Sequence, residues 1–257
     1  MLNVAREAAL EAGKFLKYNL GKVKHVERKL GQETNLVTEI DKGSEALIIK
    51  KIKQHYPMHD ILAEESGGQK SNSDYRWVID PLDGTTNFTH GLPIFCVSIG
   101  VEYKGTVVAG AIYDPCSDEL FTAEKGSGAY LNGKRIQVSS NDKLINSLLV
   151  TGFPYNVKEN PGRVVEHFVN MLMEGQGVRR LGSAALDLAY VAAGRLDAFW
   201  EVFLNPWDKA AGVLLVEEAG GKVTDFKDNP ASIYDQSTLA SNGRIHDQMI
   251  AVLRKAL

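Results

Sequence analysis

The sequence predicts a layered α/β protein of two closely packed lobes, and three observations predict it. Four apolar-rich runs between residues 94 and 138 follow one another across short turns, as in an antiparallel meander. Beyond about residue 140, strand-like runs alternate with helix-like ones, as in a layered α/β unit. No linker parts the halves, and no repeat or low-complexity tract is visible. Residues 1–140 and 141–257 are therefore expected as lobes of one unit.

Leu2, Ala5, Ala9, Ala12, Leu16 and Leu20 recur at helical spacing, so residues 2–19 read as an amphipathic helix ended by Gly21. The basic stretch from Lys22 to Lys29 reads as a solvated edge strand or loop. Thr38, with Asp41 three residues on, has the form of a helix cap. The helix it starts runs to His55, buries Ala46, Leu47, Ile48, Ile49 and Ile52, and is closed by Pro57. Asp60 to Ala63 is a short strand running into Glu64 and Glu65, followed by a polar loop over 67–74. Residues 75–80 form a strand. The meander follows with strands 94–103, 106–113, 119–124 and 129–138 and turns at Lys104-Gly105 and Asn132-Gly133. The second half reads as strand 146–151, helices 159–174 and 183–193, strand 195–201, helix 206–219, strands 222–225 and 237–241, and helix 243–256.

Composition narrows the function. With 257 residues, 44% hydrophobic and 24% charged, the chain can bury a sizeable core. Its 29 Lys and Arg against 32 Asp and Glu leave a net charge of −3, where a nucleic-acid-binding chain would be more basic. Two cysteines without a CxxC pair build no disulfide framework, so a reduced, cytoplasmic setting is expected. The first helix carries charges rather than the apolar core of a signal peptide, and no run is long enough to span a bilayer. The six histidines show no metal-ligand spacing. Ser98, Ser139 and Ser140 lack a serine-hydrolase motif, and Gly126-Ser127-Gly128 is a turn rather than a dinucleotide fingerprint.

The chemistry is written in Asp80-Pro-Leu-Asp-Gly-Thr-Thr-Asn. An apolar strand delivers Asp80, Pro81 breaks its ladder, and Asp83 can be aimed at the same point with the Leu82 carbonyl between them. That all-oxygen set suits a hard divalent cation. A helix starting near Gly84 would turn its N-terminal amides to the same spot, where a phosphate fits. Glu64 also stands at a strand end, and Asp208 lies in the first turn of the helix begun by Pro206. Each has a plain structural reading as well. The DPLDG run can be a turn, Glu64 a solvated acid, Asp208 a dipole-stabilising acid and Asp41 a cap.

Glu64-Glu65, the run from Trp77 to Asn87 and Trp207-Asp208 resemble the three signature blocks of the inositol monophosphatase family, lithium-sensitive and magnesium-dependent phosphatases. The likeness covers nearly the whole chain, to Asn242-Gly243. Leu36 to Asp41 and Gly182 to Asp187 are similar to stretches of its bacterial members. The resemblance implies an αβαβα sandwich, with an antiparallel sheet in the first lobe, a mixed sheet in the second, and often a homodimer. It implies two or three Mg2+ ions, with Mn2+ as a substitute. Glu64, Asp80 and the Leu82 carbonyl would hold the first, and Asp80, Asp83 and Asp208 the second. Glu64 would also touch a third. Asp41 and Thr85 would orient the attacking water, and backbone amides around Gly84 and Thr85 would receive the phosphate. Glu201 would bond substrate hydroxyls, while Ser183 and Ala184 would wall the pocket. Asn35 departs from the Asp of many relatives, and Lys29 is the candidate for an upstream catalytic-loop lysine.

The expected activity is hydrolysis of a phosphate monoester of a small polyol or sugar, of the inositol monophosphate kind. Fructose 1,6-bisphosphate, a nucleotide 3′-phosphate and NADP are the alternatives within the family. Glu201 favours a polyhydroxylated leaving group because a carboxylate accepts from hydroxyls and repels a further phosphate. Arg179 and Arg180 keep open a substrate with a further phosphate, which they could compensate, though they read first as ion-pair or interface residues. A regulatory or scaffolding protein keeping the fold is the alternative of a different class. The intact set of Asp41, Glu64, Asp80, Asp83, Thr85 and Asp208 disfavours an inactive one.

Overall fold

In the computed structural model, which describes residues 1–23, 26–28 and 36–255, the chain opens with α1 (Leu2–Asn19), burying Val4, Ala5, Ala8, Ala9, Ala12 and Leu16. The basic stretch then supplies an edge ribbon, β1 (Val26–Arg28), paired antiparallel with β2 (Leu36–Thr38). Lys29 and Asn35 lie outside the described residues. α2 (Glu39–His55) begins at the expected cap. Thr38 Oγ1 accepts from the amides of Ile40 and Asp41 at 3.1 and 3.4 Å, and the Thr38 amide donates back to Asp41 Oδ2 at 2.8 Å.

Next come β3 (Asp60–Ala63), β4 (Gly67–Gln69), β5 (Tyr75–Asp83), α3 (Thr85–Thr89), β6 (Cys96–Tyr103), β7 (Thr106–Asp114), β8 (Glu119–Glu124), β9 (Gly128–Leu131) and β10 (Lys134–Arg135). They build an eight-stranded sheet in the order β10-β9-β8-β7-β6-β5-β3-β4. It is antiparallel apart from the parallel β3–β5 pair, which sets the ends of those two strands side by side. The second half supplies β11 (Leu148–Thr151), α4 (Val164–Glu174), β12 (Gly177–Arg179), α5 (Ala184–Ala192), β13 (Ala198–Val202), α6 (Pro206–Glu218), β14 (Lys222–Thr224), β15 (Ser237–Ser241) and α7 (His246–Leu253). Its five strands form a mixed sheet in the order β12-β11-β13-β15-β14.

Helices α1 and α2 cover one face of the first sheet, α5 and α6 lie between the two sheets, and α4 and α7 cover the second. The five layers of the expected sandwich are thus present. Helix α6 presses against the first sheet because two strand residues lack a side chain. A Cβ on Gly100 would lie 2.7 Å from Ala210 Cβ, and one on Gly110 3.0 Å from Ala211 Cα. That approach brings the helix carrying Asp208 to the sheet carrying Asp80. Among the described residues, no helix is long and apolar enough to cross a membrane.

Several elements differ from expectation, and the differences below have local reasons. β5 runs on through Pro81 to Asp83, with its pairing to β6 slipping between Asp80 and Asp83; the missing N–H shifts the ladder without ending the strand. α4 starts at Val164 rather than 159, because Asn160, Gly162 and Arg163 have φ of 48, 62 and 60° and wind two short 3₁₀ turns instead. α7 starts at His246 rather than 243, since Asn242 Oδ1 accepts from the amides of Arg244 and Ile245 in a turn. β4 and β12 were not expected. Three residues apiece, with Gly at the start, leave no alternation to read.

Candidate active site

The site is built on the end of β5. Trp77, Val78 and Ile79 are buried in the sheet, and Asp80, next in line, is 2% exposed. The Leu82 amide donates to Asp80 Oδ1 at 3.0 Å, and Ser44 Oγ on α2 donates to the Pro81 carbonyl at 2.7 Å. The turn is thereby tied at both ends. Thr85 Oγ1 stands 3.0 Å from Asp41 Oδ1 and 3.1 Å from the Leu82 carbonyl, so its single proton has two acceptors.

Gly84 has φ +99°, and a Cβ there would meet the Ile94 carbonyl at 2.9 Å, Phe95 Cβ at 3.2 Å and the Gly182 carbonyl at 3.3 Å. Backbone conformation and space both demand glycine. Gly84→Ala should cost about 2–4 kcal/mol of stability and most of the activity, because the clash is with main chain that cannot rotate away. Chemical denaturation of the variant checks it, and an unchanged midpoint refutes it.

The other acids reach the same place from different elements. The Glu64 amide bonds the Ile79 carbonyl at 3.2 Å, which fixes Glu64 beside the end of β5. Asp208 sits in the first turn of α6, where Oδ2 accepts from the Asn205 amide at 2.6 Å in a capping box. Asp83 Oδ2 is held by the start of α5, accepting from Ser183 Oγ at 2.6 Å and the Ala185 amide at 2.7 Å. The plain structural readings of Asp41 and Asp208 as caps are thus true of the geometry, and both caps aim a carboxylate inward.

Glu64, Asp80, Leu82, Asp83 and Asp208 line one cavity of about 1140 Å³, together with Gly84, Thr85, Ser183, Ala184 and Glu201. Asp41 does not line it and reaches it through Thr85. Burial, then Glu64, Asp83 and Asp208, push the Asp80 carboxyl well above its usual range. Burial, followed by Glu64 and Asp83, does the same to Asp208. Asp83 is raised by burial against the pull of its bonds from Ser183 and the α5 amides. Burial likewise raises Asp41 against its bonds from Thr38 and Thr85. Among the described residues, no three His, Cys, Asp or Glu side chains close into a ready-made metal shell. The acids converge on a cavity rather than form a cage. A donor set of carboxylates and one carbonyl, charged alike and gathered around one cavity with Asp80 buried and Glu64, Asp83 and Asp208 half-buried, fits a hard cation.

The sequence profile of the inositol monophosphatase family matches residues 1–257. The chain belongs to the inositol monophosphatase family. It is 42% identical over 258 residues to an inositol-1-monophosphatase of Mesorhizobium japonicum, covering 100% of this chain and 97% of that one. It is 45% identical, with the same coverage, to the Nus factor SuhB of Escherichia coli K12. The crystal structure of the extragenic suppressor protein suhB from Bartonella henselae superposes with a TM-score of 0.94 at 42% identity, over 99% of this chain and 98% of that one. The family is one of phosphoric monoester hydrolases, and this member is an enzyme of that class.

In this family member the cavity also has walls that the motifs did not single out. Arg180, read above as an ion-pair or interface residue, lines it, and so do Tyr155 and Asp187. Tyr155, though 52% exposed, has its phenol raised, by the desolvation it has on the cavity side and then by the charges of Glu64, Asp208, Asp83 and Asp80. Burial brings Glu201 to about 8, with Arg180 opposing and Asp83 adding to the shift. A lone Asp in the apolar run Ala184–Ala192 was the available signal for Asp187.

Proposed function

We propose that the chain hydrolyses the phosphate monoester of a small polyol, with inositol monophosphate as the type of substrate and Mg2+ held by Glu64, Asp80, the Leu82 carbonyl, Asp83 and Asp208. The observation that carries this reading is that four carboxylates from three separate segments line one cavity together with Thr85. Bound there, two or three Mg2+ ions, or Mn2+ in their place, would neutralise the phosphate, acidify a water and stabilise the departing alkoxide. When the Thr85 hydroxyl donates to Asp41, its lone pairs are left to accept from a water and hold it in line with the phosphorus. Amides at the start of α3, around Gly84 and Thr85, have no carbonyl to bond within the helix and can receive phosphate oxygens. Ser183 and Ala184 wall the leaving-group side, and Glu201 accepts from its hydroxyls.

The test is phosphate release from inositol 1-phosphate, fructose 1,6-bisphosphate and NADP, with and without Mg2+. Release should need the metal and be fastest from inositol 1-phosphate. Thr85→Val should lower kcat about 10²–10³-fold with KM within a few-fold, because only the positioned water is lost. No release from any of the three esters would end the reading. The relative named Nus factor favours a second one, in which this fold binds a macromolecular partner. That role would survive the failure of the assay.

A further inference from the structure

Beyond Asp83, the cavity holds a second pair of carboxyls that the proposed metal site does not use. Asp187 lies in the first turn of α5, is 1% exposed, and lines the cavity. Its Oδ1 is buried without a hydrogen-bond partner among the described residues. Glu201, on β13, is 9% exposed, and space is reserved for it. A Cβ on Gly152 would fall 2.2 Å from Glu201 Oε2. The positive charge of Arg180 acts on Asp187 and on Glu201 alike. Arg180 also lines the cavity.

The common role of an acid in a first helical turn is to meet the amides there. At α5 that role is filled from outside the helix, because Asp83 Oδ2 takes the Ala185 amide and the Ser183 hydroxyl. Asp187 is left as a carboxyl in an apolar helix with an oxygen that nothing among the described residues satisfies. Such a group costs stability, and native chains keep few of them without a use. The use must suit two carboxyls sharing one guanidinium. A second phosphate would be repelled by the pair. A hydroxyl fits it in either protonation state, donating to a carboxylate or accepting from a carboxylic acid.

We propose that Asp187 acts with Glu201 as the specificity element of this site, each taking one hydroxyl of the leaving group, so that the preferred ester carries at least two free hydroxyls. Asp187 touches the leaving polyol and not the reacting phosphate. This rests on the phosphatase reading above and narrows its substrate class.

The experiment compares inositol 1-phosphate with phenyl phosphate, which has no hydroxyl, on the full chain with Mg2+. Asp187→Asn should lower the ratio of the two kcat/KM values about 10-fold, and Asp187→Ala about 10–100-fold, because a site built for a hydroxyl loses most on the ester that offers one. Asp187→Asn should also raise the melting temperature, since a buried unpaired carboxyl is replaced by a neutral amide of the same shape. A structural acid would instead lower it. The ratio decides. If both variants leave it where the wild type has it, the inference is overturned, whichever way the melting point moves. It is also overturned if the wild type prefers glucosamine 6-phosphate to glucose 6-phosphate, since the pair would then be reading a cation. If the wild type hydrolyses no ester, the phosphatase reading fails first and takes this inference with it.

Discussion

Asp80→Asn should abolish phosphate release, lowering kcat/KM by about 10³-fold or more, while making the metal-free protein more stable. The two effects have one cause. Asp80 is 2% exposed at the strand end and stands in the field of Glu64, Asp83 and Asp208, which, after burial, push its carboxyl up. A charge in that position is unfavourable for the fold and useful only when a cation balances it. An amide of the same shape removes the repulsion but would offer one weaker oxygen ligand where the proposed metal site would call for a carboxylate. Melting curves in EDTA should therefore show the variant above the wild type. Curves in Mg2+ should reverse the order, because a ligand bound only by the folded state stabilises in proportion to its affinity. A variant that gains as much from Mg2+ as the wild type, or that turns over at a comparable rate, would remove Asp80 from the metal site.

How much of this the sequence shows depends on the kind of interaction involved. Asp80 and Asp83 are legible because their neighbours are local: an apolar strand behind, a proline between and a glycine after. The cap at Thr38 is legible for the same reason, and its reciprocal bonds to Asp41 are present. What cannot be read locally is that Asp41 also takes the Thr85 hydroxyl, 44 positions on, or that the start of α5 grips Asp83 across 100 positions. Those contacts depend on the packing of α2 and α5 against the end of β5. The resemblance to a known family supplied the pairing of Asp41 with Thr85 as an expectation, but it gave Ser183 as a pocket wall and not as a partner of Asp83.

Other features were hidden by weak local signals. Helix α4 carries a helical pattern back to residue 159, but three positive φ angles delay it to Val164. The edge strands β4 and β12 are too short to show a period. Asp187 and Tyr155 carry no motif and become candidates only when the cavity gathers them. Arg180 illustrates the converse. Its sequence context, two arginines before a Gly-Ser turn, fits an ion pair as well as a substrate contact, and only the fold places it on the wall of the cavity.

The second large effect is on stability against pH. In EDTA the protein should become less stable as pH rises from 6.5 to 8, and Mg2+ should flatten that fall. Asp80, Asp208 and Asp187 all hold their protons more tightly in the fold, mainly through burial, and Glu201 does so up to about 8. Between the ordinary carboxylate range and those raised values the folded chain binds more protons than the unfolded one. Stability from these groups is therefore full at the acid end and lost as pH rises through the folded pKa. Three buried bases work the other way, in different windows, and His167 is lowered from 6.5 by burial and so acts below that value. His246 is lowered from 6.5 to about 4 by burial and then Lys222, so it adds stability as pH climbs between those values. Lys209, lowered from 10.5 to about 8 by burial, adds it above 8. The interval from 6.5 to 8 is left to the acids, and there the melting temperature in EDTA should fall by several degrees. Mg2+ competes with protons for Asp80 and Asp208, so its stabilising effect should grow across the same interval. A melting temperature that is flat or rising from pH 6.5 to 8 without metal would mean that these carboxyls are not strained by their burial and need no cation among them.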